Sequence, residues 1–224
     1  MRAYRNKGPI IDKLRIKQFL DSLEFPLYFF DYETLASLVP YFDGMKPYAQ
    51  YPFQYSLHIL DEPDGELRHE EYLHTENSNP AGSIVKAMKS HFGPTGSVIA
   101  WNMGFEKSCN DTLAQFVTEA ADFLTDINNR MVDLMVPFSS GAYIDFRFKG
   151  SASIKNVLPV LVPELSYKAL DIQEGGSAQR IWMQTVLDGK NTEQKEKILK
   201  DLLEYCKLDT LAMVEIWKVL KNCS

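Results

Sequence analysis

The sequence predicts an α/β protein: a mixed sheet, made of an antiparallel hairpin and parallel strands, flanked by helices. Three observations predict it. Two strand candidates, YPFQYSLHIL (51–60) and ELRHEEYLH (66–74), flank the turn signal EPDG and read as an antiparallel hairpin. A βα alternation follows, in which helix-like AGSIVKAMKSHF leads through GPTG to SVIAWN (97–102), a short apolar run of parallel-sheet type. A long helical pattern closes the chain, so that helices are expected on the faces of the sheet.

Taken in order, residues 11–24 place Ile11, Leu14, Ile16, Phe19, Leu20 and Leu23 at near-helical spacing and predict an amphipathic helix. FPLYFFDYET (25–34) has the aromatic and aliphatic run of a buried strand. After SVIAWN, the stretch GFEKSCNDTLAQFVTEAADFL predicts one helix opening just beyond Asn102. VDLMVPF is expected to continue the core, and AYIDFRF to form one more short strand. SIKNVLPVLVPEL reads as a helix broken by Pro159 and Pro163, and SAQRIWMQTVL as a further helix. The last helix runs through TEQKEKILKDLLEYCKLDTLAMVEIWKVLK, with a start between Thr192 and Lys195. There are no repeats or linkers, and the expected organisation is one domain over 1–224, with 1–24 as a basic N-terminal arm and helix.

Composition bounds the function. An apolar content of 45% in 224 residues suits a globular protein with one well-covered core. No apolar run approaches the roughly 20 residues of a membrane span, and the N-terminus lacks the apolar core of a signal peptide, so a cytoplasmic location with no membrane partner is expected. Cys109, Cys206 and Cys223 form no CxxC pair and read as structural thiols. His69 and His74 lie in an alternating segment rather than on a zinc-binding helix face. The net charge of −6 argues against nonspecific coating of nucleic acid, which is driven by Lys and Arg. It leaves open an enzyme that grips a short stretch. Residues 1–17 hold Arg2, Arg5, Lys7, Lys13, Arg15 and Lys17 against Asp12 alone, which reads as an arm for a polyanion, a solvated helix or a domain junction.

The informative residues are carboxylates in apolar surroundings. Side chains alternate along a strand, so Asp31 and Glu33 point to the same side of the sheet. Two such anions repel each other, and a divalent cation relieves both the repulsion and the desolvation. Hard oxygen ligands select magnesium or manganese. A helix cap or a salt-bridged turn is the structural alternative. On the last helix Leu202, Cys206, Asp209, Met213, Ile216 and Leu220 form one continuous seam, with Tyr205 one turn before Asp209 on nearly the same face. An acid on such a seam requires a partner, either a cation shared with Asp31 and Glu33 or an arginine such as Arg147 or Arg180. Glu106 falls in the first turn of the helix after Asn102, where parallel α/β folds place binding groups and where the helix dipole also favours an acid. Asp133 and Asp145 are expected to cap or to support rather than to ligate.

These pieces in this order resemble the DEDD superfamily of 3′→5′ exonucleases, whose fold is ribonuclease H-like. Its first motif, D-x-E, is matched by Asp31-Tyr32-Glu33. The second, N-x-x-[x]-[FY]-D, is matched by Asn102, Phe105 and Glu106, with Glu where the family has Asp. The third, Y-x-x-x-D of the tyrosine (DEDDy) branch, is matched by Tyr205 and Asp209, and Glu204 occupies the position used by the histidine branch. The segments FPLYFFDYET, KPYAQYPFQYSLH, WNMGFEK, RMVDLMVPF, GSASIKNVLP and LLEYCKLDTLAM also resemble an uncharacterised bacterial family built on such a domain. That family uses Glu at the second motif. In some members the domain stands beside a separate nuclease-like domain, so that this chain could be a piece of a longer protein.

The resemblance implies a ribonuclease H-like sheet and a 3′→5′ exonuclease. Two Mg2+ or Mn2+ ions would lie between Asp31, Glu33, Glu106 and Asp209, with Tyr205 orienting the attacking water. The implied partner is the 3′ end of single-stranded DNA or RNA. Asn102 and Lys155 are the candidates for gripping the strand, and Tyr32 or Phe105 for stacking on a base; plain surface and core roles are the alternatives for Lys155 and Phe105. Glu106 extends about 1.5 Å further than Asp would, the length of one C–C bond. The competing expectation is therefore a catalytically weak or silent nucleic-acid-binding module of the same fold. A structure-specific endonuclease would use the same metals. A serine hydrolase is poorly supported, since no GxSxG elbow is present.

Overall fold

The computed structural model describes residues 8–166, 172 and 175–223. The chain runs β1 (Ile10–Ile11), α1 (Lys13–Asp21), β2 (Leu27–Leu35), β3 (Tyr51–Leu60), β4 (Leu67–Leu73), α2 (Ala81–His91), β5 (Ser97–Ala100) and α3 (Gly104–Phe116). It continues with α4 (Ala121–Asn129), β6 (Met131–Asp133), α5 (Val136–Ser139), β7 (Tyr143–Ile144), α6 (Ile154–Leu161), α7 (Gly175–Trp182) and α8 (Lys195–Cys223). The main sheet has the order β4-β3-β2-β5-β6. β2 pairs antiparallel with β3 and parallel with β5, and β6 extends the parallel side, giving the mixed sheet that the sequence predicts.

β2 lies in the middle of this sheet, and its alternation divides the core. Leu27 and Phe29 pack with Met213, Ile216 and Trp217 of α8. Tyr28, Phe30 and Tyr32 pack on the opposite face with Ile84 and Met88 of α2, Leu113 of α3 and Leu124 of α4. Each large apolar side chain fully buried in these layers contributes about 1.5–3 kcal/mol, which explains why the central strands are near-continuous apolar runs. A third cluster fills the space where Leu35, Phe53 and Trp182 meet Leu202 and Tyr205. Phe53 stacks on Trp182 with centroids 4.2 Å apart.

Two backbone features place β2 among its neighbours. Gly96 has φ +95, and a Cβ there would lie 2.1 Å from the Pro26 carbonyl oxygen, so only glycine lets β5 enter alongside β2. The β2–β3 register shifts between Glu33 and Thr34, where Thr34 faces Pro52. Pro52 lacks an N–H to give a ladder and lies beyond the residues with which β4 pairs, as the rule for proline in sheets requires.

Several expectations need correction. The predicted helix over 11–24 begins at Lys13, where Asp12 caps it, because Ile10 and Ile11 instead pair with Ile144 and Tyr143 in a separate two-stranded ribbon. Lys13, Arg15 and Lys17 of the basic arm lie on α1; Arg2, Arg5 and Lys7 fall outside the described residues. The single helix expected from Gly104 to Leu124 is two, because the β-branched pair Val117-Thr118 ends α3 and a 3-10 turn redirects the chain to bury Ala120. VDLMVPF (132–138) begins inside the short parallel strand β6, which starts at Met131. A run of three residues is too short for periodicity to identify. SVIAWN stops being strand at Ala100, since Asn102 adopts φ 69. α6 accommodates Pro159 and ends before Pro163, and α7 continues as a π turn over Met183–Leu187. Among the described residues no helix is long and apolar enough to cross a membrane.

Candidate metal centre

β2 and α8 build the centre together. Asp31 and Glu33 fall on the α8 side of β2 by the same alternation that turns Phe29 there. α8 presents the predicted seam, with Leu202, Cys206, Met213, Ile216 and Leu220 all buried and Asp209 half-buried among them. The helix is held in register by polar contacts as well as packing. Cys206 Sγ donates to the Asp31 carbonyl (3.8 Å), and Gln54 Nε2 of β3 donates to the Leu202 carbonyl (2.8 Å). Thr210 Oγ1 is within 2.7 Å of both Ser56 Oγ and His58 Nδ1. As a result Asp31, Glu33 and Asp209 each offer an oxygen within 4.8 Å of the others. They line a cavity of about 400 Å³ together with Glu106, Tyr205 and Trp101.

The electrostatics are those of crowded, desolvated anions. Burial, then Asp209, Glu106 and Glu33, hold the Asp31 carboxyl well above the usual carboxylate range. Burial and the Asp209 charge push Glu33 up to about 8, against the opposing pull of Lys155. Burial also pushes Glu106 up to about 8, aided by Asp133 and opposed by its own backbone N–H. The Tyr205 hydroxyl is raised first by burial and then by Asp209, Glu33 and Asp31, so it remains a protonated donor at neutral pH. Hard oxygen donors that cannot all ionise side by side suit a divalent cation of the magnesium or manganese kind.

Glu106 stands slightly apart. It occupies the first turn of α3 and is 2% exposed, and its Oε2 is buried without a hydrogen-bond partner. It is near enough to raise Asp31, yet it is not one of the three residues grouped within 4.8 Å. Tyr205 is buried at the cavity, whereas its neighbour Glu204 is exposed.

The strand-gripping candidates separate. Asn102 is exposed at the cavity rim, in a left-handed turn where its backbone N–H donates to Asp133 Oδ1 (3.0 Å). The same Asp133 oxygen accepts from Met135 N, so this acid organises the loop. Lys155 is exposed near the start of α6, and its charge reaches Glu33. Phe105 is half-buried, lining the cavity while packing on the core. Tyr32 requires correction. Tyr32 is among the residues that border the cavity, but alternation turns its ring to the far face, where it is 4% exposed, bonds Asn110 and offers a base almost no surface. Asp145 is bound by Arg147 at 2.6 Å, which engages one of the two arginines considered as partners for Asp209; Arg180, the other, is exposed on α7.

Sequence reasoning did not single out Trp101 or the wall opposite it. Trp101 lines the cavity, stacks on Phe138 with centroids 5.5 Å apart, and is pinned by its indole N–H to the Ala152 carbonyl (3.1 Å). An aromatic residue at the carboxyl end of a parallel strand, next to Asn102, was the available signal. The other wall comes from Gln50, Gln179 and Gly175; a Cβ at Gly175 would sit 3.5 Å from Glu33 Oε2. Gln50 is fixed by Thr34 Oγ1 (2.6 Å). Nothing in the local sequence marks Gln179 or Gly175.

Fold and site define an α/β protein whose central strand and last helix gather acidic side chains at one cavity. The family described as a domain of unknown function (DUF2779) matches residues 28–153, more than half of the chain, and the chain belongs to it. Its relatives are bacterial. The uncharacterized protein MG366 homolog of Mycoplasma pneumoniae is 26% identical over 239 residues, covering 99% of this chain and 36% of that protein. The uncharacterized protein UU173 of Ureaplasma parvum is 25% identical over 214 residues, covering 87% of this chain and 31% of its own length. The chain thus spans about a third of the curated relatives it matches. No solved structure matches.

Proposed function

We propose that the chain is a metal-dependent 3′→5′ exonuclease domain, hydrolysing phosphodiester bonds at the ends of single-stranded DNA or RNA. The observation that carries the reading is the convergence of Asp31, Glu33 and Asp209, from two separate elements, to within 4.8 Å in one cavity. The D-x-E, N-x-x-F-E and Y-x-x-x-D motifs, each at that cavity, give it its direction.

Asp31, Glu33 and Asp209 would hold Mg2+ or Mn2+, with the unpartnered Glu106 Oε2 completing a second position. Bound there, divalent cations neutralise the phosphate and lower the pKa of water. The protein's own groups do the rest. Tyr205, kept protonated, donates from its hydroxyl and orients the attacking water rather than acting as the base. Asn102 holds the strand at the rim, Lys155 supplies a positive charge that reaches Glu33, and Trp101 and Phe105 provide aromatic surface for the terminal base.

The position of Glu106 outside the group of three favours a second reading, a strand-binding module of the same fold without turnover. One assay separates the two. Purified protein and its Asp31→Ala variant are incubated with 5′-labelled single-stranded DNA and RNA in Mn2+, Mg2+ or EDTA. The proposal expects a metal-dependent ladder shortening from the 3′ end and absent in the variant. Binding without cleavage selects the silent module, and cleavage that survives both EDTA and Asp31→Ala overturns the metal reading.

A further inference from the structure

β2, which carries Asp31 and Glu33, and α3, which carries Glu106, are joined on the far side of the sheet by a buried polar strut. Tyr32 sits between Asp31 and Glu33 but points away from them, and its hydroxyl donates to Asn110 Oδ1 at 2.8 Å, with Met88 Sδ 3.0 Å away. Asn110 is fully buried and lies four residues after Glu106, one turn along the same face of α3. Its amide donates onward to Asn128 Oδ1 of α4 (2.7 Å), and Asn128 Nδ2 donates to Asp111 Oδ1 (3.1 Å) and to the Lys107 carbonyl (3.4 Å).

The layering explains why such a link is needed. α3 packs on the Tyr32 face of the sheet, whereas Asp31, Glu33 and Asp209 lie on the α8 face. Glu106 must therefore reach across from one layer to the other, and its depth is set by how α3 sits against β2. The apolar neighbours Cys109 and Leu113 press the helix onto the sheet. The hydrogen bond between Tyr32, flanked by Asp31 and Glu33, and Asn110, one turn beyond Glu106, adds a directional constraint on its slide and rotation. A tyrosine bonded to a buried amide in an otherwise apolar layer costs desolvation that a Phe–Leu pair would avoid and gives positional specificity in return, which argues for a positional task.

We infer that Tyr32 and Asn110 are positioning residues that set Glu106 against Asp31. The inference rests on the exonuclease reading for its consequence, but the placement itself is testable without it. Three variants divide the strut. Tyr32→Phe and Asn110→Leu remove the link to β2, while Asn128→Ala removes the link to α4 and leaves Tyr32–Asn110 intact. In crystals of the cation-free Tyr32→Phe protein the first turn of α3 is expected to be displaced, carrying Glu106 away from Asp31. An unchanged Glu106 overturns the inference whatever the protein does with metal. In Mn2+ titrations followed by electron paramagnetic resonance, Tyr32→Phe is expected to weaken the last-filled cation by about tenfold and to leave the first unchanged. With single-stranded substrate it lowers kcat at constant KM. Asn128→Ala should lower the melting temperature and keep the wild-type titration; if it perturbs Mn2+ binding as Tyr32→Phe does, the effect comes from loosening α3 in general rather than from the Tyr32–Asn110 link, and the inference fails. A wild-type protein that binds no Mn2+ refutes the exonuclease reading, and the crystal comparison then judges the placement.

Discussion

Cys206 of α8 donates from Sγ to the backbone carbonyl of Asp31, so the helix that carries Asp209 is anchored on the residue that Asp209 must meet. The thiol is fully buried, and burial followed by the charges of Asp31, Glu33 and Asp209 keeps it protonated. Cys206→Ala is expected to cost about 1 kcal/mol, the scale of a small lost buried group. Cys206→Leu should cost about 1–3 kcal/mol by overpacking. It should also lower strand hydrolysis more than tenfold, by pushing α8 off β2. Melting curves and the labelled-strand assay check both, and a Cys206→Leu protein with wild-type turnover contradicts the anchoring role.

Stability should fall as pH rises in the absence of cations. Glu33 and Glu106 are each raised from 4.5 to about 8 in the folded protein. The folded state therefore holds more protons than the unfolded chain between those values, and folding is disfavoured progressively from about pH 4.5 to about pH 8. Melting temperatures in EDTA should decline over that window, and Mn2+ should restore them, more at pH 8 than at pH 5. A cation effect of equal size at both values would contradict the account.

Asp209→Asn should have opposite effects on folding and on chemistry. Removing the charge relieves Asp31 and Glu33, for both of which Asp209 is the first charge to act after burial, so the cation-free protein is expected to melt higher than wild type at pH 8. Hydrolysis should fall about 10²–10³-fold, equivalent to roughly 3–4 kcal/mol of lost transition-state stabilisation. Loss of both stability and activity would mean that Asp209 is structural.

Lys155→Ala should act on the strand rather than on the fold. The residue is exposed, and its charge reaches Glu33 without being part of the acidic group. Binding of a single-stranded oligonucleotide should weaken by about 1 kcal/mol, and the dependence of log K on log salt should lose about one unit of slope. Fluorescence anisotropy at several salt concentrations measures both, and an unchanged slope would remove Lys155 from the strand path.

What was legible in the sequence was whatever one element determines. Alternation along FPLYFFDYET placed Asp31 and Glu33 together, and the helical seam from Leu202 to Leu220 placed Asp209 on the buried side of α8, because periods of 2 and 3.6 are local properties. The same alternation, applied to Tyr32, would have turned it to the far face; its place between two acids suggested a binding role that the pleat forbids. The walls were not legible. Trp101, Gln50 and Gly175 reach the cavity through a rim turn, a register shift and a helix start, none of which has a periodic signature. β6 was hidden because three residues paired with β5 carry no pattern of their own. The reach of Glu106 across the sheet depends on the packing of α3 against β2, a property of two elements that neither segment encodes alone.

The central claim is that Asp31, Glu33 and Asp209 share a divalent cation, and a crystal soaked in Mn2+ tests it most directly. The account predicts anomalous scattering peaks between these three carboxylates, and beside Glu106 when a nucleotide is present. A lysine or arginine side chain bridging Asp31 and Asp209, with no peak between them, would contradict it.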